Sequence, residues 1–260
     1  MLLAIDVGNS QTHIGVFEGD RLTRQWRIST DQKRTGDEHA LALDQFLSME
    51  SLSFSDVTGV CICSVVPRAT QQLTDMAHRY FDFPPVVVAP GIKTGIAVKI
   101  DNPREVGADR VANAVAARAS FPGEPVIVVD FGTATTLDVV SADGEYLGGS
   151  IAPGIDTAAA GLYEATAQIR RVELKAPPTA IGRNTSAAVQ SGLVYGTAGL
   201  VDGLVERVIK ELGGHARVIA TGGLATAIVD HTHTIERIDP TLTLVGLRLI
   251  FERNDDEGAD

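Results

Sequence analysis

LLAIDVGNSQTHIGVFEGD, residues 2–20, is answered 124 positions later by VIVVDFGTATTLDVVSADG, residues 126–144. Aligned without gaps, Asp6 falls on Asp130, Gly8 on Gly132 and Thr12 on Thr136. Each copy is an apolar run of strand length ending in a carboxylate. A glycine, small hydroxyl residues and a second β-rich run that stops at Gly and Asp follow. The pattern predicts one strand–turn–strand hairpin made twice. The chain is therefore expected to fold as two similar α/β halves, mixed sheets flanked by helices, with a phosphate-sized cleft between them. Asp and Gly are also ordinary turn residues, so one copy alone reads equally as a plain β-hairpin. A second copy in register weighs against that.

Outward from the first copy, strands are expected at 2–6, 12–18 and 21–29. A helix opens at the capping box Thr35-x-x-Glu38 and turns Leu43, Phe46 and Leu47 inward. GVCICSVV (59–66) is a continuous apolar run, as suits a strand buried on both faces. The next helix starts near Pro67 and shows Leu73, Met76, Ala77 and Tyr80 at i, i+3, i+4, i+7. PPVVVAP (84–90) gives a short strand. After Asn102-Pro103, an alanine-rich helix at about 107–119 bridges the halves.

The second half restarts at PVIVVD (125–130), with two or three strands to about 151 and a helix around 155–168. Its largest helix is expected at about 184–212. Gly192, Gly196, Gly199 and Gly203 recur along it, lowering helix propensity but letting another helix come close, which marks a candidate helix–helix or dimer contact. RVIATGG (217–223) is a strand entering a diglycine turn, and a last helix falls at about 240–252. The expected domains are 1–118, ending in the alanine-rich helix, and 119–251. ERNDDEGAD (252–260) is an acidic tail with nothing to bury, expected to be disordered.

The formal net charge is −11, and no dense Lys/Arg run occurs, so a nucleic-acid partner held by phosphate neutralisation is excluded. Small anionic substrates remain open if a metal ion and local donors offset the repulsion. Cys61 and Cys63, the only cysteines, share one face of a strand and read as buried free thiols, which fits a reducing cytoplasm. A strand that begins at Leu2 leaves no room for a signal peptide, and no apolar stretch approaches a membrane span of about 20 residues.

Four groups of residues carry chemistry. In Asp6-Val7-Gly8-Asn9-Ser10-Gln11-Thr12, a carboxylate ending a buried strand can hold Mg²⁺ directly or through water. Gly8 leaves the backbone open to a phosphate, and Asn9, Ser10 and Thr12 supply donors. Asp130-Phe-Gly132-Thr133-Ala-Thr135-Thr136 repeats this with more hydroxyls, and Asp138 follows on the next strand. Asp130 and Asp138 either serve a cation or satisfy backbone amides. Gly222-Gly223, after the strand RVIA, lets a flat ring or ribose lie on bare backbone, as the adenosine floor of an ATP site. Glu105-Val-Gly107-Ala108-Asp109-Arg110 puts Asp109 in a first helical turn, where free amides favour its ionised form. Such a carboxylate can accept a hydroxyl proton during phosphoryl transfer, and Arg110 offers a forked donor. An Asp that merely stabilises its helix, beside a surface Arg, explains that pair equally well. No GK dipeptide, G-x-G-x-x-G or G-x-S-x-G is present, and His231-Thr-His233 lacks a third metal ligand.

Duplicated D-x-G-[NT]-x-x-T hairpins with a GG adenosine turn resemble the actin-like ATPase, sugar-kinase and heat-shock ATPase superfamily, with its duplicated ribonuclease H-like fold. Within it, DVGNSQTHIGVF, NPREVGADR (102–110), DFGTATTLD (130–138) and the run from Gly182 through Asp202 resemble type III pantothenate kinase over nearly the whole chain. The resemblance implies that the loop from Asp6 to His13 binds ATP phosphates, with Asp6 helping to place Mg²⁺. It implies that Gly107, Ala108, Asp109 and Arg110 hold pantothenate and that Asp109 takes the proton from its terminal hydroxyl. Asp130 is then the ligand of a monovalent cation, K⁺ or NH₄⁺, Thr133 touches ATP, Thr185 touches pantothenate, and the protein is a homodimer. Many relatives carry a tyrosine ahead of the Asn-Pro turn, where this chain has Ile100; an aliphatic side chain packs against the gem-dimethyl part of pantothenate but loses a hydroxyl contact. Two other functions use the same scaffold: a nucleotide-binding regulatory protein, and a kinase for another small alcohol.

Overall fold

The computed structural model describes residues 1–166 and 168–255. In chain order its elements are β1 (Leu2–Val7), β2 (Gln11–Glu18), β3 (Arg21–Ser29), α1 (Gly36–Met49), β4 (Gly59–Ser64), α2 (Pro67–Tyr80), β5 (Val86–Val87), β6 (Ala97–Val98), α3 (Ala108–Ser120) and β7 (Val126–Phe131). They continue as β8 (Ala134–Val140), β9 (Glu145–Pro153), α4 (Ile155–Ala165), α5 (Thr185–Glu211), β10 (Arg217–Thr221), α6 (Ala225–Ile228), β11 (Arg237–Ile238) and α7 (Leu242–Asp255). The chain forms two compact units. The first takes Met1–Ile96, Asp101–Ala116 and the chain from Thr241 onward; the second takes Ala97–Ile100 and Ala117–Pro240. Among the described residues no helix is long and apolar enough to cross a membrane.

The first unit holds a sheet of order β3-β2-β1-β4-β5, antiparallel across β1, β2 and β3 and parallel across β1, β4 and β5. Because side chains alternate along a strand, β1 sends Leu3, Ile5 and Val7 to one face and Leu2 and Ala4 to the other. The first face is covered by Leu43 and Leu47 of α1 and Leu73 and Met76 of α2. Helix α1 starts where the capping box requires: Glu38 N donates to Thr35 Oγ1 at 3.3 Å and Thr35 N to Glu38 Oε2 at 2.8 Å. Tyr80, expected on the inward stripe of α2, is instead exposed and donates its hydroxyl to Asp37 at 2.8 Å.

The second face of this sheet corrects the domain reading. Helix α7, expected within 119–251, packs in the first unit, where Leu244, Leu247 and Ile250 are fully buried against Leu2, Ala4, Cys61 and Cys63. Each such side chain contributes about 2 kcal/mol through burial, enough to decide which unit keeps the helix. Gly246 lies directly on the Ala112 carbonyl of α3, and Thr243 Oγ1 donates to Asn113 Oδ1 at 2.8 Å. The helix also runs further than expected. Residues 252–255, assigned to the acidic tail, are helical, and Asn254 Nδ2 donates to Lys93 O at 2.9 Å. Residues 256–260 lie outside the described residues, as does residue 167 within the helix expected at 155–168.

In the second unit the sheet order is β11-β10-β7-β8-β9-β6. Leaving aside β6, the order and directions of β9-β8-β7-β10-β11 repeat those of β3-β2-β1-β4-β5. Both copies even carry their bulge at matching places, between Val16 and Phe17 and between Val139 and Val140. Yet the hairpins differ by one residue at the turn. Thr12 pairs with Val7, whereas Thr135 pairs with Phe131, so the counterpart of Thr12 is Thr135 and not Thr136. Strand period two forces this choice, since a slip would exchange the two faces. Thr12 and Thr135 are both buried. The long helix α5 covers the core of this unit through Val194, Ala198, Val201 and Val205.

Candidate active site

In the first unit, β1 delivers Asp6 to the sheet end, between His13 of β2 and Cys63 of β4 in the ladders. The following turn is tight: Gly8 N donates to Gln11 O at 3.0 Å, and a Cβ on Gly8 would stand 3.1 Å from that carbonyl. Asn9, Ser10 and Gln11 are exposed at its tip, while Val7 is a core residue whose backbone alone borders the turn. Thr12 was expected to face phosphate. It is buried instead, and its hydroxyl lies 3.0 Å from Thr30 Oγ1, which donates to Gly8 O at 2.8 Å. The single Thr30 proton is thus committed to Gly8, and Thr12 is the donor between the two threonines. His13 is held by Gln25 at 2.9 Å, and burial chiefly keeps its imidazole below the ordinary histidine range.

The other half of this unit's site is the start of α3. Asn102 caps the turn Pro103–Glu105, accepting from Arg104 N at 3.3 Å and donating to Glu105 at 2.8 Å. Gly107 follows, and the Asp109 carboxylate folds directly over it, so any Cβ there would strike Asp109 Oδ1. Arg110 N donates to Asp109 Oδ1 at 2.8 Å. Burial raises the Asp109 carboxyl above the usual aspartate range, opposed by the Arg110 amide and guanidinium and by its own amide. Ala108 packs into the core beside β4, and Arg110 is half-buried. Asp6 and Asp109 both act on the buried Cys63 thiol, so the strand-end and helix-start carboxylates belong to one neighbourhood.

The second unit is built on the same plan with different fastenings. Gly222, at φ +93°, abuts the end of β7, and a Cβ there would stand 2.5 Å from Asp130 Oδ1 and 2.6 Å from the Phe131 backbone. Gly223, next to it, is exposed, and so is Thr133. The Thr133 carbonyl accepts from Gly154 N at 3.1 Å and from Thr157 Oγ1 at 2.7 Å, tying the hairpin to the start of α4. Asp138 is engaged by side-chain hydroxyls. It is fully buried and accepts from Tyr146 at 2.6 Å and Thr136 at 3.1 Å. Thr185 is the exposed first residue of α5, behind its Asn184 cap, and Ile100 packs 3.4 Å from where a Cβ on Gly148 would lie. The ring nitrogens of His233 are taken by Asp202 at 2.8 Å and Glu206 at 2.9 Å, so this histidine fastens a loop to α5.

Sequence reasoning missed Thr30, Gly154 and Thr157. Their contribution is a hydrogen bond to a turn carbonyl 21 or more positions away, and a lone threonine or glycine carries no local signal of that.

Known proteins resemble this chain in sequence and in fold. A family model described as Type III pantothenate kinase matches residues 2–207. A relative of that name from Frankia alni is 52% identical over 255 residues, covering 98% of this chain and 100% of its own. Another, from Moorella thermoacetica, is 49% identical over 254 residues with the same coverage. Among solved structures, the ROK hexokinase of Thermus thermophilus superposes with a TM-score of 0.55 at 14% identity, over 99% of each chain. The activator of the 2-hydroxyisocaproyl-CoA dehydratase from Clostridium difficile, with bound ADPNP, gives 0.54 at 12% identity, over 99% of this chain and 96% of its own. At such identities these two show the fold alone, the actin-like ATPase and sugar-kinase fold.

Proposed function

The chain belongs to the type III pantothenate kinase family, and from that premise we propose how its own residues divide the work. The reaction is the ATP-dependent phosphorylation of the terminal hydroxyl of pantothenate to 4'-phosphopantothenate, the first step of coenzyme A biosynthesis. The observation that carries the assignment of roles is the setting of Asp109. Its Oδ1 is fixed by the Arg110 amide, and burial makes the carboxyl more basic than an ordinary aspartate. Asp109 is the base: Oδ2 accepts the hydroxyl proton as the substrate oxygen bonds to the γ-phosphorus and the bond to ADP breaks. Gly107 and Ala108 bring bare or small backbone to pantothenate, and Arg110 pairs with its carboxylate.

ATP phosphates lie against the Gly8 turn, with donors from Asn9, Ser10 and Gln11 and the end of His13's strand; Thr12 supports the turn from beneath through Thr30. In the second unit, Thr133 is a nucleotide contact and the bare backbone of Gly222 and Gly223, beside the end of β7, takes adenosine. Among the described residues no three His, Cys, Asp or Glu side chains gather as a metal site. Cations would be held by single carboxylates together with backbone and phosphate oxygens. Asp6, a hard oxygen donor at a buried strand end, fits the Mg²⁺ of ATP, directly or through water. Asp130, walled by the bare backbone of Gly132 and Gly222, fits K⁺ or NH₄⁺. When bound, these ions neutralise charge on the phosphates. Thr185 and Ile100 are further contacts for pantothenate, and the protein works as a homodimer. The open stripe Gly192, Gly196 and Gly199 of α5, where an added Cβ would touch nothing among the described residues, supports a contact between copies. The buried free thiols Cys61 and Cys63 support the reducing cytoplasm as its location.

Purified protein with ATP, Mg²⁺, K⁺ and pantothenate should yield phosphopantothenate by mass. Asp109→Asn should keep the melting temperature and lose turnover by about a hundredfold or more. A wild type that makes no product refutes the reading, and an unimpaired Asp109→Asn refutes the role of the base.

A further inference from the structure

Thr30 directly follows β3, and two of its groups reach back to the tip of the β1–β2 hairpin. Its hydroxyl donates to Gly8 O at 2.8 Å, and its backbone N–H donates to Ser10 O at 3.0 Å. The tip, Asn9-Ser10, is therefore gripped on both sides by one residue. Thr30 lies two positions beyond Ile28, and Ile28 pairs with Thr12, so all three share a face with Val7 and Ile14. That face is covered by α1 and α2, whereas Asp6, out of phase with Val7, looks to the other. The Gly8–Asn9 peptide is planar and trans, so its carbonyl and its N–H point in opposite directions. A Gly8 carbonyl held toward Thr30 sends the Asn9 N–H to the face that bears Asp6.

The second unit lacks the side-chain arm of this grip. Gly154 follows β9 as Thr30 follows β3, and its N–H donates to the tip carbonyl of Thr133 at 3.1 Å, as that of Thr30 does to Ser10. The backbone half is thus common to both copies. Glycine has no hydroxyl to add, and none would fit: a Cβ on Gly154 would stand 2.4 Å from both Gly132 O and Thr133 O. Thr135, the counterpart of Thr12, accordingly has a buried hydroxyl with no partner among the described residues, where Thr12 has Thr30. The hairpin does not need the hydroxyl arm in order to form, since the second copy forms without it. The arm belongs to the hairpin assigned to the ATP phosphates.

We propose that Thr30 is the positioning residue of the phosphate turn: its hydroxyl, bonded to Gly8 O, aims the Asn9 amide at a phosphate oxygen of ATP on the Asp6 face. The proposal rests on the phosphate role given to the turn above. An N–H aimed at an ionised phosphate makes a charge-assisted bond, and loss of one such bond weakens binding about tenfold. The phosphate is held both before and during transfer, so the loss falls on KM for ATP and leaves kcat in place.

Three variants test it: Thr30→Val, which removes the hydroxyl at constant shape, Thr30→Ser, which keeps it, and Thr23→Val as the control. Thr23 is on β3 and donates its hydroxyl to Val16 O at 3.2 Å, away from the turn. Calorimetric titration with ATP and steady-state kinetics are the first readout. Thr30→Val should raise Kd and KM for ATP about tenfold, with kcat and the KM for pantothenate within about twofold of wild type. Thr30→Ser should recover the affinity, and Thr23→Val should match wild type. The second readout is the Asn9 amide in ¹⁵N–¹H spectra. In wild type it should move downfield when ATP binds, and in Thr30→Val at saturating ATP it should move much less. Wild-type ATP affinity in Thr30→Val, an equal loss in Thr23→Val, or an Asn9 amide that responds in full without the hydroxyl overturns the proposal. A wild-type Asn9 amide indifferent to bound ATP refutes the phosphate role of the turn itself and the proposal with it. Should Thr30→Val not fold, Thr30→Ala removes the same hydroxyl and decides the same question.

Discussion

His39, in the first turn of α1, is only 7% exposed, and burial, aided by Arg34, lowers its pKa to about 4 against the pull of Glu38 and Asp31. Above pH 6.5 the imidazole is neutral folded or unfolded and costs nothing. Below it the unfolded chain binds a proton that the folded chain refuses until about pH 4, so stability falls as pH falls through that window. Urea midpoints should show a loss of roughly 2 kcal/mol between pH 7 and pH 5 that His39→Gln abolishes. A slope unchanged in His39→Gln would assign it to other groups. At this same scale the sequence was informative wherever a residue's chemistry is unusual for its place. A carboxylate at the end of an apolar strand, as Asp6 and Asp130 are, or a Gly-Ala-Asp at a helix start, stands out. Thr30 and Thr157 do not, because only the fold brings their hydroxyls to Gly8 O and Thr133 O.

Helix α7 shows what periodicity can and cannot reveal about an element. Its existence was legible from spacing, but its destination was not, because an apolar stripe does not say which sheet it covers. The β6 and β11 strands, two residues each, are too short for any alternation to show. What fixes α7 in place is the bare backbone of Gly246 against the Ala112 carbonyl of α3. Gly246→Ala should push the two helices apart and cost about 2–3 kcal/mol, read as a lower melting temperature. Since the first turn of α3 carries Asp109, turnover should fall as well. An Ala variant with wild-type stability and kcat would mean that the helices give way without strain.

For the whole molecule, the duplication was readable because both hairpins keep the same strand order, directions and bulge. The shorter second turn was not, since a gapless alignment cannot register a missing turn residue that strand pairing makes evident. The unit boundaries depart from a simple cut at the chain's middle. A chain ending at Pro240 lacks the cover over Leu2, Ala4, Cys61 and Cys63. Both thiols should then react with an aromatic disulfide reagent within seconds, whereas in the full chain they should be protected. Protected thiols in the shortened chain would show that α7 is dispensable to the first unit.

The placement of α7 also orders events during synthesis. Residues 117–240 of the second unit can gather their core while translation continues, but the face that bears Asp6 stays open until residues 242–255 have left the ribosome. At about 5–20 residues per second, that is a wait of some ten to fifty seconds for the first strand made. A chain broken anywhere before residue 242 therefore leaves the ribosome without the cover over the face that bears Asp6.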